Sequence, residues 1–274
     1  SFYLEMEGLK NHWLDVRNCI KTDSYYRNAG LNWKETQKLI KNETKNKSTI
    51  VTQGFIASDT EGYSTTLGRE GSDYTAAIFA FILNATSLTI WKDVPGVLNA
   101  DPRYFKKTQL LKKISYREAI ELAYYGASVI HPKTLQPLQQ KKIPLFVKSF
   151  ENPHQEGTKV FESSQLDPLV PCFILKKNQI LLELSTLDFS FIVEENISQI
   201  FSLMDKYKMR VEMIQNSAIS FAVCINDRYG KLNNLVSELS LKFKVGVKEN
   251  VSLHTIRHFN ISSIQEIKGL GKKI

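Results

Sequence analysis

The chain has 274 residues, 42% of them hydrophobic and 23% charged, an ordinary make-up for a globular protein long enough for two domains. No apolar run approaches the roughly 20 residues that span a bilayer and no secretory signal opens the chain, so no membrane role is expected. The net charge of +8 lies in scattered pairs such as Lys106-Lys107 and Lys141-Lys142, without the aromatic-interleaved basic stripe of a nucleic-acid binder.

Cys19, Cys172 and Cys224 are far apart and lack metal-ligand spacing, which fits free thiols in a reduced, cytoplasmic protein. Both ends read as cut. Ser1 to Leu4 begins inside a helix that leads to Gly8, and the stretch from Leu253 starts a strand pattern without completing a domain.

From the start of the chain, His12–Val16 reads as a short strand and Trp33–Ile40 as a helix. Thr49–Thr52 reads as a strand that ends in the loop Gln53-Gly54-Phe55. Glu61-Gly62-Tyr63 looks like a hairpin turn. The stretch Thr65–Leu83 then changes character halfway. From Thr75 onward it is apolar on every side, which predicts a buried helix with Phe79 and Phe81 in the core. Before that it holds Gly68-Arg69-Glu70-Gly71-Ser72-Asp73. Ser72 is a natural N-cap, and the glycines let backbone N–H groups approach a ligand. A helix N-terminus attracts anions, and Arg69 adds a planar fork suited to a carboxylate. Asp73 reads equally as a first-turn helix carboxylate.

Ser87–Trp91 is a second buried strand, closed by the turn-rich loop from Lys92-Asp93 to Val97. Strand, helix and strand in this order predict a parallel α/β unit, whose ligands bind outside the carboxyl ends of the strands. Asp93 could also simply cap a turn there, and Asp101-Pro102-Arg103 reads as a turn. Ser115-Tyr116-Arg117-Glu118 is a capping box for a helix that stops at Gly126. His131 caps the next helix, with Pro132 in its first turn. Ile143–Lys148 is a strand.

Residues 151–177 read as a linker, polar and carrying Pro153 and Pro168. Beyond it the order is strand (Ile180–Leu187), helix (Ile197–Tyr207), strand (Met209–Ile214), strand (Ala218–Ile225), helix (Tyr229–Phe243) and strand (Lys244–Glu249). That βαββαβ order is the ferredoxin-like unit.

Four segments in order resemble aspartate kinases: Val51–Phe55, Thr65–Asp73, Trp91–Val97 with Asp101-Pro102-Arg103, and Gly126–Pro132. The resemblance implies an α/β fold. A three-layer, carbamate-kinase-like lobe of the amino-acid-kinase type would fill residues 1–150, and an ACT domain of the ferredoxin-like kind residues 178–250. A second ACT domain would start at 251–274. It implies ATP-dependent phosphorylation of the side-chain carboxylate of L-aspartate, with Mg²⁺ between the phosphates and cytoplasmic location. Arg69 would hold the substrate α-carboxylate and Asp73 its ammonium, with Ser72 nearby and Phe55 lining the pocket. Lys92, Asp93, Leu98, Arg103 and Ser128 would lie on the nucleotide side. Asn196, Glu212 and Ser217 fall where the family binds its effectors, lysine or threonine, and Ser217 reads equally as a turn residue. A homodimer through ACT domains is expected.

The departures concern phosphate binding. The family's Lys-Phe-Gly-Gly-Thr-Ser segment is absent from these residues, which alone are therefore expected to be inactive. Some members carry a lysine where Ser128 stands. Either Lys133 substitutes or the phosphates are held differently. A non-catalytic amino-acid sensor on a kinase scaffold is the alternative reading.

Overall fold

The computed structural model describes residues 1–126, 129–163, 166–188 and 190–268. In chain order they form α1 (Phe2–Met6), β1 (His12–Leu14), α2 (Trp33–Glu43), β2 (Ile50–Thr52), β3 (Ile56–Ser58), β4 (Ser64–Thr66) and α3 (Gly71–Ile82). There follow β5 (Leu88–Lys92), β6 (Lys113–Ser115), α4 (Tyr116–Tyr125), α5 (Pro132–Gln140), β7 (Leu145–Ser149) and β8 (Thr158–Phe161). The remainder holds β9 (Cys172–Thr186), α6 (Glu194–Lys206), β10 (Arg210–Asn216), β11 (Ser220–Asn226), α7 (Leu232–Leu239), β12 (Phe243–Arg257) and α8 (Ile261–Lys268). The chain divides into two units, Ser1–Cys172 and Phe173–Ile274.

In the first unit β1 and β2 pair in parallel, and β3 and β4 form the hairpin expected around Gly62. A four-stranded sheet runs in the order β5-β7-β8-β6, with β5 parallel to β7. The β8 strand overturns the expectation of a linker over 151–177. Thr158–Phe161 pairs antiparallel with β7 and parallel with β6, so this polar stretch belongs to the sheet. Thr158 is buried and its hydroxyl donates to Leu111 O at 2.7 Å, which sews the strand to the Val97–Leu111 loop. The unit also extends past the expected boundary at 150, as far as Cys172.

The α3 helix carries its unit's core. Leu14, Val16, Ile20, Ile40, Leu67, Ile78 and Ile82 are buried together around it. Phe79 and Phe81 lie half-buried against that cluster instead of inside it. The capping box of α4 is as expected: Ser115 Oγ accepts from Glu118 N at 2.9 Å, and Gly126 stops the helix at φ 122°. His131 caps α5, its Nδ1 accepting from Lys133 N at 3.2 Å.

The second unit has sheet order β10-β11-β9-β12, the ferredoxin-like arrangement in which the first and third strands are central. Leu182, Leu184, Phe221, Val223, Leu235 and Leu239 fill the space between its sheet and helices. Two boundaries differ from expectation. β9 begins at Cys172, and β12 runs unbroken from Phe243 to Arg257, across the expected division at 250/251. Both long strands bend at an asparagine with left-handed backbone, Asn178 and Asn250, each at φ 56°. α7 is shorter at both ends than the predicted Tyr229–Phe243, and Asp227 Oδ2 accepts from the N–H of its first residue, Leu232, at 2.8 Å.

Among the described residues no helix is long and apolar enough to cross a membrane. The three cysteines are buried and free, and burial pushes the Cys19 thiol up to about 12.

Candidate active site

The helix start is built differently from the expected Ser72 cap. Glu70 occupies the cap position in left-handed backbone, φ 56°, and α3 begins at Gly71. Ser72 is the second helical residue and exposed. A non-glycine residue in that region stores strain, here immediately beside Arg69. Phe55 is a second such residue at φ 75°. Its amide donates to Thr75 Oγ1 at 3.0 Å, and the same hydroxyl donates to Gly71 O at 2.8 Å. Thr75 thus ties the Phe55 loop to the first turn of α3.

The glycines are required by close approach. A Cβ on Gly71 would lie 2.6 Å from the Phe55 ring, and one on Gly54 would lie 2.9 Å from Ser72 Cα. The Gln53–Phe55 loop is therefore packed directly on the first turn of α3, Phe55 against Gly71 and Gly54 against Ser72. Lys92, at the end of β5, joins them: its Nζ lies 3.0 Å from Asp73 Oδ2 and 3.3 Å from Glu70 Oε2. The Arg69 side chain is exposed and hydrogen-bonds no other residue of the described chain.

The electrostatics follow from sheltering. Burial pushes Asp73 above the ordinary carboxylate value, Lys92 pulls it back, Glu70 pushes it up again, and the net shift is upward. Burial pulls Lys92 down, but its pairing with Asp73 and Glu70 outweighs this and its pKa is raised. Although Lys92 is within ion-pair distance, Asp73 Oδ2 is buried and accepts no well-directed hydrogen bond. The attraction between the two charges does not depend on a single N–H direction.

Asp93 follows Lys92 and is exposed in the loop after β5. Leu98 is half-buried and bridges to Leu110. Arg103 is spent on its neighbour, its Nε and Nη2 contacting the Asp101 carboxylate at 2.6–3.0 Å in the expected turn. Its side chain is 75% exposed and is not joined to the Lys92 group. Ser128 lies outside the described residues.

Sequence reasoning missed Thr75, Glu70 and Asn28. Asn28 comes from the polar loop before α2 and accepts from Lys133 Nζ at 2.7 Å. Its Oδ1 stands 2.3 Å from where a Cβ on Gly68 would be. Lys133, named above as a substitute for a phosphate-binding lysine, is thereby held beside the Gly68–Asp73 loop. A cavity of about 500 Å³ continues from the Gly54–Ser72 contact along α3, reaching Thr52 of β2 and Leu88 of β5.

In the second unit the proposed effector residues have structural partners. Asn196 Oδ1 accepts from Val193 N at 3.0 Å, closing the start of α6. Ser217 bonds across the hairpin to Ser220, the two hydroxyls 2.6 Å apart. Glu212 is buried and held by Lys176 and, at 3.0 Å, by Arg210 Nε.

The start of α3, with its glycine-mediated close contacts, thus stands beside the end of the parallel strand β5. Residues 1–149 match the amino acid kinase family model, and the chain belongs to that family. It is 32% identical to the lysine-sensitive aspartokinase 3 of Escherichia coli over 99% of this chain and 62% of that protein. It superposes on the crystal structure of E. coli aspartokinase III in complex with lysine and aspartate with TM-score 0.76 and 33% identity, covering 92% of this chain and 58% of that one. The structure of the same enzyme with aspartate and ADP gives TM-score 0.75 at 31% identity, covering 95% and 60%. The chain thus spans about three fifths of the length of these relatives.

Proposed function

We propose that the protein is an aspartate kinase, transferring the γ-phosphoryl group of ATP to the side-chain carboxylate of L-aspartate. The observation that carries this reading is the Asp73 carboxylate in the first turn of α3, paired with Lys92 of β5, with the exposed Arg69 immediately ahead of the helix. Arg69 binds the substrate α-carboxylate in bidentate fashion, and Asp73 receives the α-ammonium. That pairing aims the side-chain carboxylate away from α3, and Phe55, 40% exposed, closes the wall behind it. Positioning and charge neutralisation supply most of phosphoryl-transfer catalysis, so a fixed substrate is the main contribution of this wall.

By the family resemblance Lys92, Asp93, Leu98, Arg103 and Ser128 serve the nucleotide, with Lys133 as a further cation. Mg²⁺ neutralises the phosphates when bound. Among the described residues no group of three His, Cys, Asp or Glu is gathered to hold a metal. The second unit is an ACT domain that mediates dimerisation and feedback by an amino acid, lysine being the effector suggested by the E. coli relative's name. Asn196, Glu212 and Ser217 frame that effector site. The three free, buried thiols fit a cytoplasmic protein.

The test is Arg69→Ala in the full-length protein. The KM for aspartate should rise at least tenfold while the KM for ATP stays within twofold; an unchanged aspartate KM refutes the assignment.

A further inference from the structure

Glu70 and Asp73 bring two carboxylates to the same lysine, one from the cap residue and one from the first turn of α3. Their side chains are only 26% and 16% exposed, and that of Lys92 only 19%. Two sheltered carboxylates at close quarters tend to share a proton, and a neutral acid cannot pair with an ammonium ion. The Gln53-Gly54-Phe55 loop packed on the start of α3 carries no charge. Arg69 is exposed, Asp93 is exposed beyond β5, and Lys133 of α5 is engaged by Asn28. Among the described residues Lys92 is therefore the cation within ion-pair reach of Asp73.

We propose that Lys92 is a positioning residue that holds the Asp73 carboxylate in its charged form, ready for the substrate ammonium. The inference rests on the aspartate-binding reading of Asp73. Burial drives Asp73 towards protonation and Glu70 adds to this, so the Lys92 ion pair is the opposing influence. Glu70 and Asp73 together carry two negative charges against the single charge of Lys92. The group keeps one net negative charge, which matches one incoming ammonium. Lys92 therefore stays in place on binding.

The experiment uses the full-length protein labelled with ¹³C at aspartate carboxyls, with Asp73→Asn identifying the resonance. In Lys92→Met the Asp73 carboxyl should titrate at least about one pH unit higher, a tenfold change in proton affinity. Lys92→Arg should restore it, and so should Glu70→Gln combined with Lys92→Met, which removes the repulsion. The acidic limb of kcat/KM for aspartate should move by the same amount. An Asp73 titration equal in wild type and Lys92→Met overturns the proposal. So does a Lys92→Met profile lowered uniformly at all pH values. The aspartate reading fails separately, through an Arg69→Ala enzyme with unchanged aspartate KM, and the Asp73 titration is read independently of that result.

Discussion

Nζ of Lys133 donates to Oδ1 of Asn28 at 2.7 Å, joining the first turn of α5 to the loop that precedes α2. The same Oδ1 faces Gly68, whose backbone is left-handed at φ 79°. Gly68→Ala meets two obstacles at once: strain of about 1–2 kcal/mol in that backbone region and a clash with Asn28. Thermal melting should fall by a few degrees and the aspartate KM of the full-length protein should rise. A variant with wild-type melting and kinetics would show that the loop is not held from this side.

Thr75→Val keeps the shape of the side chain but removes the hydroxyl shared by Phe55 N and Gly71 O. An amide left without its partner costs about 1–3 kcal/mol. We expect a loss of stability in that range, read by tryptophan fluorescence, since Trp13, Trp33 and Trp91 all lie in the first unit. Aspartate KM should rise more than kcat falls, because Phe55 loses its anchor.

Glu212→Gln removes the charge from a carboxylate that is only 5% exposed and is paired with both Lys176 and Arg210. Breaking a buried pair from one side costs about 3–5 kcal/mol, whereas replacing both partners by apolar residues is nearly neutral. Amide hydrogen exchange in β9 and β11 should accelerate strongly in Glu212→Gln and return towards wild type in Glu212→Met with Lys176→Met. Equal exchange in wild type and Glu212→Gln would free Glu212 for a direct ligand role.

Asp227 gives a pH-dependent contribution. Partial burial pushes its carboxyl up, but backbone N–H donors from Lys231, Leu232, Tyr229 and Gly230 outweigh this and hold it below the ordinary value. A depressed carboxyl stabilises the fold above its unfolded value, and that stability is lost as pH falls through the folded one. Asp227→Asn should cost on the order of 0.5–1 kcal/mol at pH 7. The difference from wild type should vanish in acid below the folded value, as hydrogen exchange in α7 would report.

Local chemistry made much of this legible. Ser115 and His131 cap their helices because the signal lies within a few residues of each cap. The βαββαβ order also followed from pattern, whereas the pairing of Asp73 with Lys92 did not, since Lys92 read as a nucleotide-side residue. What remained hidden depends on distant partners. β8 is a short run inside a polar stretch, and only its pairing with β6 and β7 makes Thr158–Phe161 a strand. Glu70 displaced Ser72 as the cap because left-handed backbone at a non-glycine residue has no sequence signature. Asn28 and Thr75 matter through contacts spanning 105 and 20 residues, which no local reading reaches.

The contact of Gly54 with Ser72 and of Gly71 with the Phe55 ring has a wider consequence. Two segments that meet without room for one methyl group move as a single jaw. A side chain added at either glycine would have to be met by a change in the facing segment, so the two are bound to vary together.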